Sequence, residues 1–316
     1  MSATISGPVV SVVMPVFNGE TYLRESVGSI LKQTYSNFEF IILNDGSTDA
    51  TSSILKTYRD QRIRLIERDH KGFASSLNEA INLSHGEFIA RMDADDISSE
   101  NRLQIQYDFM QLNPCIDILG GQAEMIDVHG NHLGDFPIQP LTNRLINKYL
   151  KYSPALAHPT YFVRKNVYKV LGGYRDLPTA EDYDFLLRAF EKGFKMRNLN
   201  EVVLKFRKNP DGMTLSNLER SYFISHHIRK MHKRRMKKPV DEQKKLKYLK
   251  NYNNKPSYFF KVVYRTRDIL LKIRRGSPDF ISHFIIFGIF FVSLFHYLIF
   301  INSYNNYKLK KLNESI

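Results

Sequence analysis

Gly86-Glu87-Phe88-Ile89-Ala90-Arg91-Met92-Asp93-Ala94-Asp95-Asp96 is the stretch on which the fold turns. Its short apolar run reads as a buried strand that delivers clustered carboxylates to its exposed tip. Carboxylates packed that closely repel one another and raise each other's pKa. A divalent cation removes the conflict, and hard oxygen donors suit Mg²⁺ or Mn²⁺, which commonly grip phosphate oxygens. The competing reading is an acidic loop that caps the following helix.

Outward from this run, strand-like and helix-like patterns alternate. Residues 9–15 are rich in valine and read as a strand. Residues 20–33 place Leu23, Val27, Ile30 and Leu31 at helical spacing. Strands are expected at 38–43, 64–67 and 88–92, with helices at 48–60 and 72–84. Alternation of this kind predicts right-handed crossovers and an α/β fold, a mostly parallel sheet flanked by helices. Ligands of such sheets bind beyond the carboxyl ends of the strands. Asn18, Asp45, the loop near Arg68 and Asp93–Asp96 all follow strand ends, so they are expected along one edge. Further on, a helix is expected from 102 to about 113, strands at 116–126 and 132–136, a loop entering a strand across 154–164, and a helix at 181–192 that stops at Gly193.

Net charge is +14, but it is uneven. Residues 1–220 carry 25 Lys and Arg against 27 Asp and Glu, whereas 221–275 carry 18 against three. A near-neutral body therefore leads into a basic extension, which marks a partner surface and not the chemistry. The single cysteine, Cys115, permits no intrachain disulfide and fits a reducing compartment. The apolar stretch 9–17 contains Ser11 and Pro15 and reads as a first strand, not a secretion signal.

Taken in order, Val12-Val13-Met14-Pro15-Val16-Phe17-Asn18, Asn44-Asp45-Gly46-Ser47-Thr48-Asp49, Asp93-Ala94-Asp95 and Glu181-Asp182 resemble a family 2 glycosyltransferase of the GT-A fold, inverting and of the bacterial surface-polysaccharide type. The resemblance covers about residues 9–215. It implies inverting transfer of a sugar from a nucleotide sugar to an acceptor hydroxyl. By that likeness Pro15, Val16 and Asn18 line the nucleotide pocket, Asp45 accepts the N3–H of a uracil ring, and Lys71 or Arg68 touches the diphosphate or base. Lys71 reads equally as an ordinary surface charge. Asp95 holds the metal, with Asp93 reaching the metal or the ribose. Inversion needs a base on the face opposite the leaving group. Family position gives that role to Asp182, with Glu181 beside it orienting the acceptor or the helix start. His158, in Ala157-His158-Pro159-Thr160, lines the pocket or is a packed structural histidine. Gly172-Gly173-Tyr174 is a turn close to the acceptor cleft.

Two departures from the family pattern matter. Asn44 stands where a second acid often precedes the glycine, which leaves the base less defined. The chain also has no Trp, so the Gln-x-x-Arg-Trp motif of processive synthases is impossible and one sugar per encounter is expected.

The sequence divides as a catalytic domain at 1–220, a basic helical extension at 221–279, a transmembrane or membrane-embedded helix at 280–301 and a tail at 302–316. Residues 280–301 carry no charge and are long enough to cross a bilayer. The denser basic flank precedes them, so the body is expected on the cytoplasmic face of the cell membrane. The extension interleaves basic clusters with Tyr and Phe, a pattern that suits RNA or an anionic membrane surface. The adjacent apolar segment favours the membrane, with no nucleic acid expected as the partner. A membrane also supplies an acceptor, a glycan or lipid-linked sugar. The alternatives are a nucleotidyltransferase acting on sugar phosphates and a basic nucleic-acid-binding protein. The first wants a glycine-rich, basic loop after strand one, and Phe17-Asn18-Gly19-Glu20 offers one glycine and no base.

Overall fold

The computed structural model describes residues 7–209, 218–237 and 241–252. Strands β1 (Val10–Val16), β2 (Phe38–Asp45), β3 (Ile63–Arg68) and β4 (Phe88–Arg91) alternate with helices α1 (Leu23–Leu31), α2 (Thr51–Leu55) and α3 (Phe73–Leu83). These strands pair in parallel, in the order β3-β2-β1-β4. β5 (Ile97–Ser98), α4 (Arg102–Leu112), β6 (Ile118–Ile126), β7 (His132–Asp135), α5 (Asn143–Tyr149), β8 (Phe162–Arg164), α6 (Lys165–Leu171), α7 (Glu181–Glu191) and β9 (Met196–Arg207) follow. The full sheet runs β3-β2-β1-β4-β8-β6-β9-β5, with β7 on β6. β8 joins its two neighbours antiparallel, and β6 and β9 are parallel. The result is the expected α/β architecture, with a parallel half that carries the strand-end loops.

Side chains alternate across the sheet and bury both faces. Val10, Val12, Met14 and Val16 pack with Phe40 and Ile42 against Leu23, Val27 and Ile30 of α1 and Leu103 of α4. Val13, Ile41 and Leu43 face the other way, toward Leu77 and Ala80 of α3 and Phe185 and Leu186 of α7. A strand buried on both faces explains the continuous apolar runs read in the sequence.

α2 is shorter than its expected 48–60. Asn18 Oδ1 accepts the Thr48 N–H at 2.8 Å and Asp49 accepts the Thr51 N–H at 3.0 Å, so residues 48–50 form a turn laced to the β1 loop. β9 has no counterpart among the expected strands. Its polar run Arg197-Asn198-Leu199-Asn200-Glu201 breaks period-two alternation, and its pairing with β6 shifts register around Gly120–Ala123.

The domain line expected at residue 220 does not match the packing. Met1–Asn217 and Ser221–Asn251 form one compact unit. A second unit, Leu218–Arg220 with Tyr252–Ile316, lies almost wholly outside the described residues. In the first unit, helices α8 (Leu218–Arg235) and α9 (Gln243–Lys250) send Ile224, Ile228, Met231 and Leu249 into the same core as α3 and α7. Burying such side chains contributes about 1.5–3 kcal/mol each. A chain ending at 220 is therefore expected to melt more than about 10 °C below one ending at 252, or to aggregate. Thermal unfolding followed by circular dichroism decides, and equal melting would refute the shared core. The apolar segment 280–301 lies outside the described residues. Among the described residues, no helix is long and apolar enough to cross a membrane.

Candidate active site

The strand-end loops gather as expected. The loop after β1 and the loop after β2 are tied by paired bonds: the Asn18 N–H donates to Ser47 Oγ (2.9 Å) and the Gly19 N–H to Thr51 Oγ1 (2.9 Å). Asn18 and Ala180 are the non-glycine residues with positive φ among the described residues, at 50° and 61°. Left-handed backbone outside glycine is uncommon and persists where surrounding contacts over-determine it. One of these residues closes β1; the other immediately precedes Glu181 and Asp182.

Asp45 corrects one expectation. Its carboxylate is buried and already accepts the Arg68 guanidinium (Nε at 3.0 Å, a terminal nitrogen at 2.8 Å) and the N–H groups of Lys71 (3.0 Å) and Gly72 (2.8 Å). His70 Nδ1 lies 3.0 Å from its second oxygen. Protein donors thus already engage both oxygens of the carboxylate expected to meet a uracil ring. Asp45 instead anchors the loop into α3. A Cβ at Gly46, whose φ is 75°, would sit 2.7 Å from the His70 backbone nitrogen, so only glycine lets this loop close. Phe17 stacks on His70 with centroids 4.3 Å apart and is half exposed at the rim. Lys71 gives its backbone to Asp45, and its side chain is exposed. Pro15 and Val16 are buried at the end of β1.

Asp93, Asp95 and Asp96 bring carboxylate oxygens within 4.8 Å of one another. Arg91, the last residue of β4 and two positions before Asp93, grips both oxygens of Asp93, one at 2.5 Å. Asp96 accepts the Arg207 N–H at 2.8 Å with one oxygen; its other oxygen is buried without a hydrogen-bond partner. Burial, with Asp93 adding, pushes Asp95 up to about 6 and Asp96 well above the ordinary range. An orphaned buried carboxylate oxygen costs free energy that a hard cation would remove. The donor set, all oxygen and anionic, fits Mg²⁺ or Mn²⁺. Sequence reading assigned the metal to Asp95 and Asp93; the geometry adds Asp96, which stood in the same acidic run.

Glu181 and Asp182 open α7. Burial, then Asp182, pushes Glu181 up to about 8, and burial raises Asp182 as well. Both feel the charges of Arg91 and Asp93, so the β4 acids and the α7 acids occupy one electrostatic neighbourhood. Asp182 is the more open of the two; one of its oxygens accepts the Tyr183 N–H at 2.7 Å. Asp184, two residues after Asp182, is fully buried on Arg188 (2.7 Å) and Arg175 (3.3 Å) and holds the helix in place.

His158 is both packed and adjacent to the acids. Its Nε2 lies 2.9 Å from the Tyr174 hydroxyl, which lies 3.3 Å from the Tyr168 hydroxyl. Burial holds His158 well below its ordinary pKa. His158 Nδ1 approaches Glu181 at 3.7 Å, and burial pushes both groups toward their neutral forms. Asn78 fixes this wall from α3 by exchanging two 2.8 Å bonds with the Tyr174 backbone. Gly173 makes that possible, because a Cβ there would meet Asn78 Oδ1 at 2.3 Å. Tyr161, fully buried beside His158, has a hydroxyl without a hydrogen-bond partner. Sequence reading missed Arg91, Tyr161 and Asn78. Arg91 carried the one available signal, a lone charge inside an apolar strand.

The site thus combines a hard-cation donor set with a separate, raised carboxyl pair, which suits release of an anionic leaving group on one side and proton capture on the other. The Glycosyl transferase family 2 description matches residues 11–172. Glu181 and Asp182 fall beyond that interval. The chain is 34% identical to the uncharacterized glycosyltransferase MJ1057 of Methanocaldococcus jannaschii, over 73% of this chain and 82% of that one. It is 33% identical to the O-antigen biosynthesis glycosyltransferase WbnJ of Escherichia coli, over 72% and 90% respectively. Among solved structures, S. aureus TarS 1–349 in complex with UDP matches with a TM-score of 0.57 at 22% identity, over 71% of this chain and 64% of that chain. The mannosyltransferase PcManGT from Pyrobaculum calidifontis, in complex with GDP-Man and Mn²⁺, matches at 0.54 and 19% identity, over 70% and 64%. At such identities these structures speak for the fold alone. Family match and relatives agree with the site and do not favour the nucleotidyltransferase and nucleic-acid-binding alternatives: this chain belongs to glycosyl transferase family 2.

Proposed function

We propose that the protein moves one sugar from a nucleotide sugar, UDP-linked, to a hydroxyl of a glycan or lipid-linked acceptor with inversion, in cell-surface polysaccharide biosynthesis at the cytoplasmic face of the membrane. The observation that carries this is the shared neighbourhood of Asp93, Asp95 and Asp96 with Glu181 and Asp182 around Arg91. The acceptor proton goes to Asp182. Glu181, whose burial beside Asp182 favours its protonated form, can donate to the acceptor. Asp95 and Asp96, with Asp93, hold Mg²⁺ or Mn²⁺, which when bound neutralises charge building on the departing diphosphate. The nucleoside lies along Pro15, Val16 and Asn18, with Phe17 and His70 at the rim. Asp45 shapes that pocket through Arg68, and Lys71 lies within reach of the phosphates. A UDP complex and a UDP-GlcNAc complex of TarS and the role of WbnJ in O-antigen synthesis support the donor and pathway classes.

A panel of nucleotide sugars, with and without Mn²⁺, tests the reading by slow release of free nucleotide. One donor is expected to stand out, and only with metal. Asp95→Asn is expected to lower its turnover by about two orders of magnitude. Turnover of no donor, or full activity in chelator, would remove it.

A further inference from the structure

Helices α8 and α9 carry a charged feature that sugar transfer does not use. In α8, Ile224, Ile228 and Met231 recur at helical spacing and are buried in the body. Lys230, Lys233, Arg234 and Lys237 take the opposite side and are exposed. α9 repeats the arrangement, with Leu249 buried and Lys244, Lys247 and Tyr248 exposed. Asp241 is exposed and accepts the Gln243 N–H at 3.0 Å, whereas Glu242 and Glu191 turn inward. Glu242 holds Arg175 at 3.1 Å and Arg235 at 2.7 Å, and Glu191 holds His232 at 2.6 Å and Arg235 at 2.7 Å. Among the described residues, no carboxylate lies at ion-pair distance from Lys230, Lys233, Arg234 or Lys245. The cations crowd one another across the two helices. Partial burial, then Lys230 and Arg234 of α8, lower the pKa of Lys245 on α9. Lys245 Nζ lies 4.5 Å from the Tyr248 ring centroid, and Met236 is more than half exposed beside the stripe.

We propose that this two-helix cationic face docks on the phosphate headgroups of an anionic lipid bilayer. Uncompensated like charges held on a rigid support gain most from a polyanionic surface, about 1 kcal/mol per Lys or Arg near it. A bilayer fits better than RNA. Sequence-tolerant RNA grooves offer successive aromatic platforms for bases, whereas these helices expose one Tyr each, Tyr222 and Tyr248, with Met236 among the cations, an amphipathic fringe suited to headgroup depth. The chain then continues toward the charge-free run 280–301. The face is also wired to the cleft. Arg235, Glu242, Arg175 and Asp184 form an ion-pair chain into α7, whose first turn bears Asp182. A bilayer gripped here sets the height of the cleft above the headgroups, where a lipid-linked sugar would lie. This inference extends the membrane part of the proposed function and does not depend on the transfer chemistry, since the nucleotide-sugar panel needs no membrane.

The test floats full-length protein with phosphatidylcholine vesicles and with vesicles holding about 30% phosphatidylglycerol. Wild type is expected to partition at least about tenfold better on the anionic vesicles, and to lose that increment in high salt. The variant Lys230→Gln, Lys233→Gln, Arg234→Gln, Lys237→Gln is expected to keep its binding to neutral vesicles and to lose the increment. A Lys230→Arg, Lys233→Arg, Lys237→Arg variant, which preserves charge, is expected to keep it, separating charge from fold damage. An increment that survives the glutamine substitutions overturns the proposal, as does wild type without any increment. Displacement of wild type from anionic vesicles by single-stranded RNA would make this a nucleic-acid face and overturn it too.

Discussion

Asp182→Asn is expected to lower sugar transfer by about a thousandfold while nucleotide binding is unchanged, with transfer followed by product formation and binding by calorimetry on UDP. The amide keeps the shape of the carboxyl and its acceptor oxygen toward the Tyr183 N–H, so the first turn of α7 is retained. What it loses is the ability to accept a proton at the moment the acceptor oxygen attacks. The pH profile carries the same argument. Burial raises Asp182 above the ordinary aspartate range, and the proposed base role requires its ionised form. Activity is therefore lost as pH falls through that raised value, at a higher pH than a solvated aspartate would give. Glu181→Gln is expected to spare most activity near neutral pH, because burial beside Asp182 favours the protonated form that glutamine mimics. An enzyme that needed Glu181 ionised would invert the two outcomes, and Asp182 would then be the helix cap that its position at the start of α7 also allows.

The strand-end architecture was legible because its signals are local. A valine run, an apolar helix face and an acidic tip each declare themselves within ten residues, and β1 to β4 formed close to their expected bounds. The second half of the sheet was not legible. β9 alternates poorly because it crosses a register shift against β6, and α5 and α6 are too short to show a period. The acidic residues of the site could be found, but their partners could not. Asp45 looked like a free acceptor in sequence, and only the fold shows Arg68, Lys71 and Gly72 closing on it. Nor does sequence reveal that Glu242 and Arg235, remote from the body in the chain, continue an ion-pair network that begins at Asp184. Composition placed these helices in a separate basic extension, because their apolar stripe is diluted by lysine.

Arg91→Met is the second large effect expected, and it reads out in stability before activity. Arg91 is buried on β4, with its guanidinium gripping both oxygens of Asp93 and lying 5.4 Å from the Phe73 ring centroid. It is also the positive charge that opposes the rise of Asp95, Asp96, Glu181 and Asp182. Methionine keeps the apolar stem and removes the charge. Breaking a buried pair from one side costs about 3–5 kcal/mol. Asp93 retains some solvent access, its side chain being 23% exposed, which places the expected loss at the lower end. That is a fall of about 10 °C in melting temperature for a body of this size. Asp93→Asn in the same chain is expected to recover part of the loss, because the orphaned charge goes with it, and the double-mutant cycle measures the coupling. Arg91→Lys is expected to rescue incompletely, since an ammonium cannot reproduce a two-pronged grip. Without Arg91 the four acids climb further, so the acidic limb of transfer moves to higher pH. Added Mn²⁺ is expected to restore stability to Arg91→Met more than to wild type, a divalent cation replacing the missing guanidinium among the same carboxylates. A variant that melts with wild type and keeps its pH limb would show that the acids of this cleft are balanced by something other than Arg91.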